Sequence, residues 1–262
     1  MARLHIDFYS YTLGHGVDIL MTLPTLTPCD MAPGVTPTHV PPAKFPVLYL
    51  LHGHGNDYQC WTRYTSVERL AEEQRIAVVT FNGENKAYND LPGDDRYEAF
   101  LNEELPELIT ADFPISARRE DTYIAGLSMG GYGTLAHAFR HPERYCAYGA
   151  MSAAPSIRER RAAQGSPWAE LFGNAIEPLE EAEARVREGA ALPKGYICCG
   201  TEDFLYPQNV RFVKALKALG VEFTWHPVEG YAHEWRYWDI EIANFLDWIP
   251  RTDYYADKPH KV

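Results

Sequence analysis

At 262 residues and 46% hydrophobic composition, the chain is long enough to bury the core of one large α/β domain. A formal charge of -12 at pH 7 argues against the clustered basic surface that nucleic acid or an anionic membrane selects. Met1–Ser10 alternates polar and apolar residues, and the five cysteines lack a framework spacing, so the sequence predicts no secretory leader, no membrane span and a reduced, cytoplasmic setting.

In chain order, His5–Tyr11 and Val17–Leu23 read as an antiparallel hairpin turning through Gly14-His15-Gly16, and Pro24–Pro46 reads as a proline-rich loop. Strand-like and helix-like runs then alternate. Val47–Leu51, Ile76–Phe81, Thr122–Ala125, Tyr145–Met151, Gly195–Cys199 and Val221–His226 are short and continuously apolar, the pattern of strands buried on both faces. Ser66–Gln74, Arg96–Thr110, Gly131–His141, Asn209–Leu219 and Tyr237–Ile249 carry helical apolar spacing. Repeated β-then-α order predicts an α/β fold with a mostly parallel central sheet, helices on both faces and an N-terminal antiparallel hairpin. Residues 155–190, including a charged helix over Glu177–Glu188, form an insertion placed to cap a site, and 1–262 reads as a single domain.

The sharpest motif is Gly126-Leu127-Ser128-Met129-Gly130, which puts one serine between two glycines where a strand gives way to a helix. A turn that tight needs strained backbone at the serine and no side chain at its glycine neighbours. A serine hydroxyl is a poor nucleophile at neutral pH, so the motif calls for a histidine base and a carboxylate that orients it. Asp203, in the loop after Gly195–Cys199, and His233, in the loop after Val221–His226, lie later in the chain at C-terminal strand ends, where α/β sheets place ligands. Glu202 is the competing acid, because the same turn presents both side chains. His226 falls inside a strand and reads as structural, and His137 and His141 lie on the helix after the serine, where a base would point along the wrong face of the sheet.

Negative charge developing on a substrate carbonyl needs N–H donors. His52-Gly53-His54-Gly55 follows a buried strand, and its backbone is free to approach a ligand, which pairs the His54 N–H with that of Met129 as a candidate oxyanion hole. His52-x-His54 followed by Asp57 also has a superficial metal-ligand look. Its aspartate is one residue too far for a His-x-His-x-Asp-His site and Tyr58 stands where the last histidine is needed, so no metal is expected.

Taken together, Tyr49-Leu-Leu-His-Gly-His-Gly55, Tyr97–Pro106, Gly126–Gly133, Gly200-Thr-Glu-Asp203 and His233-Glu-Trp235 resemble the putative-esterase branch of the α/β-hydrolase fold, the group of tributyrin esterases and esterase D. The resemblance spans nearly the whole chain. It implies Ser128, Asp203 and His233 as a triad, an oxyanion hole from the His54 and Met129 amides, and cofactor-free hydrolysis of small carboxylic esters through an acyl-enzyme. S-formylglutathione hydrolases resemble the Ser128 region but differ at His52–Gly55, and feruloyl and acetylxylan esterases share the broader family. Trp61, Tyr88, Trp168, Trp235 and Trp238 offer aromatic surface for a substrate pocket. A non-catalytic binding module on the same fold is the reading of another class; it would be expected to have lost a member of the triad, and none is missing.

Overall fold

The polar and apolar alternation at the N-terminus builds the first hairpin of the computed structural model, which describes all residues except 32, 35, 94, 159–169, 171 and 258–262. Strand β1 (Ala2–Ser10) pairs antiparallel with β2 (His15–Leu23), so both strands start earlier than their apolar residues suggest. The remaining sheet strands are β3 (Val47–Leu51), β4 (Ala77–Phe81), β7 (Thr122–Leu127), β8 (Ala147–Met151), β9 (Lys194–Gly200) and β10 (Phe223–Val228). A separate small ribbon, β5 (Asp90–Leu91) with β6 (Asp95–Arg96), was not legible in the sequence. The eight strands lie in the order β1-β2-β4-β3-β7-β8-β9-β10. β2 meets β4 antiparallel, and every pair from β4 through β10 is parallel. β3, β4 and β8 are buried at every position, as continuous apolar runs require.

Alternate residues of each strand feed two cores. On one face Leu48, Leu50, Tyr123, Ala125 and Cys198 pack with α1 (Cys60–Tyr64), α2 (Val67–Gln74) and α8 (Trp235–Trp248). On the other, Tyr49, Leu51, Ile124, Ala150 and Ile197 pack with four further helical elements. The first is a helix that begins as α3 (Tyr97–Ala99), widens into a π turn over Phe100–Glu104 and ends as α4 (Leu105–Asp112). The others are α5 (Met129–Arg140), α6 (Pro178–Arg187) and α7 (Tyr206–Ala218). α6, the helical half of the expected insertion, is the β8–β9 crossover and lies against α5, tied by Arg140–Glu181 at 3.0 Å. Among the described residues, no helix is long and apolar enough to cross a membrane.

After β3 the chain turns one way along the sheet to β4, and after β7 it turns the other way to β8. The crevice at the C-terminal ends of β3 and β7 is therefore a topological switch point, the place where open α/β sheets bind ligands.

His137 lies wholly inside this structure. Asn102 Nδ2 donates to its Nδ1 at 2.9 Å and its Nε2 donates to the Tyr88 carbonyl at 2.9 Å, which requires the neutral ring. Burial pushes its pKa down from 6.5 to about 4, so below pH 6.5 the unfolded chain takes up a proton that the folded chain refuses. The stability this arrangement contributes is present above 6.5 and is lost progressively towards pH 4, a total of roughly 3 kcal/mol. Urea unfolding at pH 7, 6 and 5 should show that decline, and His137→Gln should flatten it; an equal slope in the variant would assign the decline to other groups.

Candidate active site

Ser128 is the only residue between β7 and α5, so strand becomes helix in a single step. Its backbone is held at φ 55, ψ -113, a conformation that L-residues rarely adopt and that costs of order 1–3 kcal/mol. The surroundings enforce it. A Cβ at Gly126 would lie 2.6 Å from the Gly130 carbonyl, one at Gly130 would collide with the Leu51 carbonyl oxygen, and one at Gly131 would lie 2.9 Å from the Ala153 Cα. The glycines thus let β3, β7 and α5 close on one another, while Ser128 N–H donates to Met151 O at 2.9 Å and Ser128 O accepts from Ala154 N–H at 3.1 Å. The sequence reading began the helix at Gly131. It begins at Met129, because packing overrides the poor helix propensity of adjacent glycines.

The His52–Gly55 segment leaves β3 directly beside this turn. A Cβ at Gly53 would sit 3.4 Å from Ser128 Cβ and 2.6 Å from Leu127 Cδ1. Gly83 N–H donates to His52 Nε2 at 2.8 Å, so Nδ1 carries the proton and donates to the Gly53 carbonyl at 2.8 Å. Burial holds this imidazole below its ordinary pKa. With both ring nitrogens engaged by backbone, His52 is a brace for the loop and has no lone pair left for a metal. Tyr88 adds a second brace, its hydroxyl donating to the His52 carbonyl at 2.9 Å. His54 is exposed on the turn closed by Asn56 N–H on the Gly53 carbonyl at 3.2 Å. Met129 is the first residue of α5, where helix N–H groups have no partner within the helix and the dipole favours negative charge.

Asp203 and His233 come together two strands away. Thr201 N–H donates to Val228 O at 2.9 Å and Glu202 N–H to Tyr231 O at 3.1 Å, which stitches the loop after β9 to the loop after β10. Gly200 makes this possible, since any Cβ there would run into the Tyr231 carbonyl. His233 Nδ1 lies 2.8 Å from Asp203 Oδ2, and Leu205 N–H donates to Oδ1 at 2.8 Å. Burial alone would raise the Asp203 carboxyl, but the hydrogen bonds from His233 and Leu205, with help from the Ser152 hydroxyl, hold it below the usual carboxylate range. The carboxylate is therefore ionised and accepts at Oδ2, which places the proton on Nδ1 and leaves the Nε2 lone pair of His233 available. Glu202 is exposed, and of the two neighbouring acids Asp203 is the one whose carboxylate meets His233.

The aromatic residues sort differently from the expected pocket. Trp61 and Tyr88 have 0% exposure, and Trp61 Nε1 donates to Leu51 O at 3.0 Å. Both are packing residues, not pocket walls, and their size gave no hint of it. Trp61, Trp235 and Trp238 instead form an edge-to-face stack with centroids 5.4 and 5.2 Å apart, and Trp238 continues it onto the His233 imidazole at 4.9 Å and 86°. Trp168 lies outside the described residues. Two residues escaped the sequence reading. Ser152, buried at φ 45, follows β8 and accepts from Trp238 Nε1 at 3.2 Å. Phe204, 61% exposed, has its ring centroid 4.7 Å from that of His233. Position beside Asp203 was the only signal for Phe204, and nothing in the sequence marks Ser152.

Residues 25–249 match the family model described as putative esterase. The chain is 30% identical over 269 residues to an acetyl esterase of Caldicellulosiruptor saccharolyticus, covering 96% of this chain and 99% of that one. Among solved structures, it superposes on the fluorophosphonate-binding serine hydrolase FphF of Staphylococcus aureus with TM-score 0.82 at 28% identity, covering 95% of this chain and 98% of that one. The S-formylglutathione hydrolase FrmB of the same organism gives 0.80 at 27%, with the same coverage. With the family model matched over residues 25–249 and an acetyl esterase relative aligned nearly end to end, this chain belongs to the putative-esterase family of α/β-hydrolase-fold enzymes and is a carboxylic ester hydrolase.

Proposed function

We propose that the chain is a serine esterase of short-chain acyl esters acting through Ser128, His233 and Asp203, with the His54 and Met129 amides as oxyanion donors. The observation that carries the reading is the 2.8 Å His233–Asp203 hydrogen bond, because it leaves His233 Nε2 as the base on the sheet edge that bears Ser128. His233 takes the Ser128 proton as Oγ attacks the ester carbonyl. The oxyanion is held by the two amides, and collapse of the intermediate expels the alcohol, protonated by His233. Water then enters, gives its proton to His233 and releases the acid, restoring Ser128. Asp203 stays ionised throughout and compensates the imidazolium.

The close packing of β3, β7 and α5 holds Ser128 in the strained elbow conformation, which favours a nucleophile fixed in place. Short acyl groups are favoured by the acetyl esterase relative, and a cytoplasmic setting by the absence of a cysteine framework. A fluorophosphonate probe should label the wild-type chain at Ser128 and leave Ser128→Ala unlabelled, and p-nitrophenyl acetate should give a burst of nitrophenol before steady turnover. A chain that takes no label and shows no burst would be a binding module on a hydrolase fold. S-formylglutathione and methyl ferulate, run beside acetyl and butyryl esters, separate the thioesterase and feruloyl readings by relative kcat/KM.

A further inference from the structure

Phe204 stands out because an aromatic ring left 61% exposed forgoes most of the free energy that burial would supply. Its neighbours are specific. The ring is tilted 53° on the His233 imidazole with centroids 4.7 Å apart, while Trp238, 4% exposed, meets the same imidazole edge-on. The base is thus set between a buried aromatic and an exposed one. It follows Asp203 directly, so the hydrogen bonds that fix the acid also fix the start of the segment that carries this ring.

The chemistry assigns that surface to one half of the substrate. When the acyl-enzyme forms, the Ser128 Oγ–carbon bond is made, the bond from carbon to the alcohol oxygen breaks, and His233 passes the proton it took from Ser128 to that oxygen. The departing oxygen must lie within hydrogen-bond reach of Nε2, about 2.6–3.2 Å, so whatever is attached to it projects past the imidazole. The acyl group points away, towards the carbonyl carbon and the oxyanion donors. In the second half-reaction a water-derived oxygen bonds to the carbonyl carbon, the Oγ bond breaks, Ser128 recovers its proton through His233, and no alcohol is present.

Resting on the esterase reading above, we propose that Phe204 is a specificity-determining residue for the alcohol portion of the substrate: its ring contacts the group on the leaving oxygen and favours esters of apolar or aromatic alcohols over methyl esters. The contact acts only in acylation. Phe204→Ala and Phe204→Leu, compared with wild type on methyl, butyl and phenyl acetate, test it, because the ratio of variant to wild type cancels each ester's intrinsic reactivity. Losing one apolar contact of this size should lower kcat/KM of Phe204→Ala about tenfold or more on butyl and phenyl acetate, and by less than about twofold on methyl acetate. Breakdown of the common acetyl-enzyme, measured after the burst, should be unchanged in all variants, and Phe204→Leu should recover most of the loss on butyl acetate. Equal losses on the three esters together with slower acetyl-enzyme breakdown would make Phe204 a support for His233 and overturn the proposal, as would no change at all. Failure of the esterase reading is a separate outcome, visible in wild type as no burst.

Discussion

Ser128→Ala is expected to lower kcat for ester hydrolysis on the order of 10^6-fold, since nucleophile and base work as a unit and removing either removes nearly all of their joint effect. Ser128→Gly should lose the same activity yet behave differently in the fold. At φ 55 and ψ -113 any side chain is strained, and glycine adopts that region freely. Relief of the strain outweighs the greater chain entropy that glycine brings to the unfolded state, so Ser128→Gly should be about 1 kcal/mol more stable than Ser128→Ala. Thermal melts and p-nitrophenyl acetate assays on the two proteins check both halves. Retained turnover in the alanine variant would remove Ser128 from the mechanism, and a glycine variant no more stable than alanine would mean that the turn stores no strain.

Asp203→Asn should cost on the order of 10^4 in kcat, the scale seen when the triad acid of serine proteases is made an amide. The reason is visible in the hydrogen bonds. Leu205 N–H needs an acceptor at the Oδ1 position, so the amide oxygen stays there and the NH2 faces His233 Nδ1. Nδ1 must then accept, the ring proton moves to Nε2, and the lone pair that Ser128 needs is gone. The variant also changes the acid limb of stability. A carboxylate held below its unfolded pKa contributes stability that is present above the unfolded value and is lost as pH falls through the folded one. Wild type should therefore lose this contribution at pH values below 3.8, and Asp203→Asn should lack it. Full activity in Asp203→Asn, or an equal loss in Glu202→Gln, would reassign the acid.

The parts legible from sequence were those in which one residue type has one structural meaning. Unbroken apolar runs such as Val47–Leu51 can only be strands covered on both sides here, and glycines flanking a serine after such a run can only serve a close approach of backbones. Strand order supplied Asp203 and His233, because both follow strands at the end where parallel sheets open. What escaped depended on packing between distant segments. Trp61 is fully buried, with its indole N–H donated to Leu51 O, whereas Trp235 is only partly buried, and residue type alone does not separate them. The last strand lies at Phe223–Val228 and not Val221–His226, since its register is set by Gly195–Gly200 of β9. The wide turn at Phe100–Glu104 leaves no trace in apolar spacing, and the left-handed backbone of Ser152 leaves none in residue type.

The sheet also distributes the proposed machinery unevenly over the molecule. β7, which delivers Ser128, has a partner on each side and is buried from Tyr123 to Leu127, whereas β10, which delivers His233, pairs with β9 alone and is at most half-buried along its length. Local opening begins at such margins and spares the interior. On warming, the proposed nucleophile is therefore expected to keep its place after the proposed base has left it. Activity is therefore expected to fall on warming as this outer strand and its following loop fray, before the central strands give way.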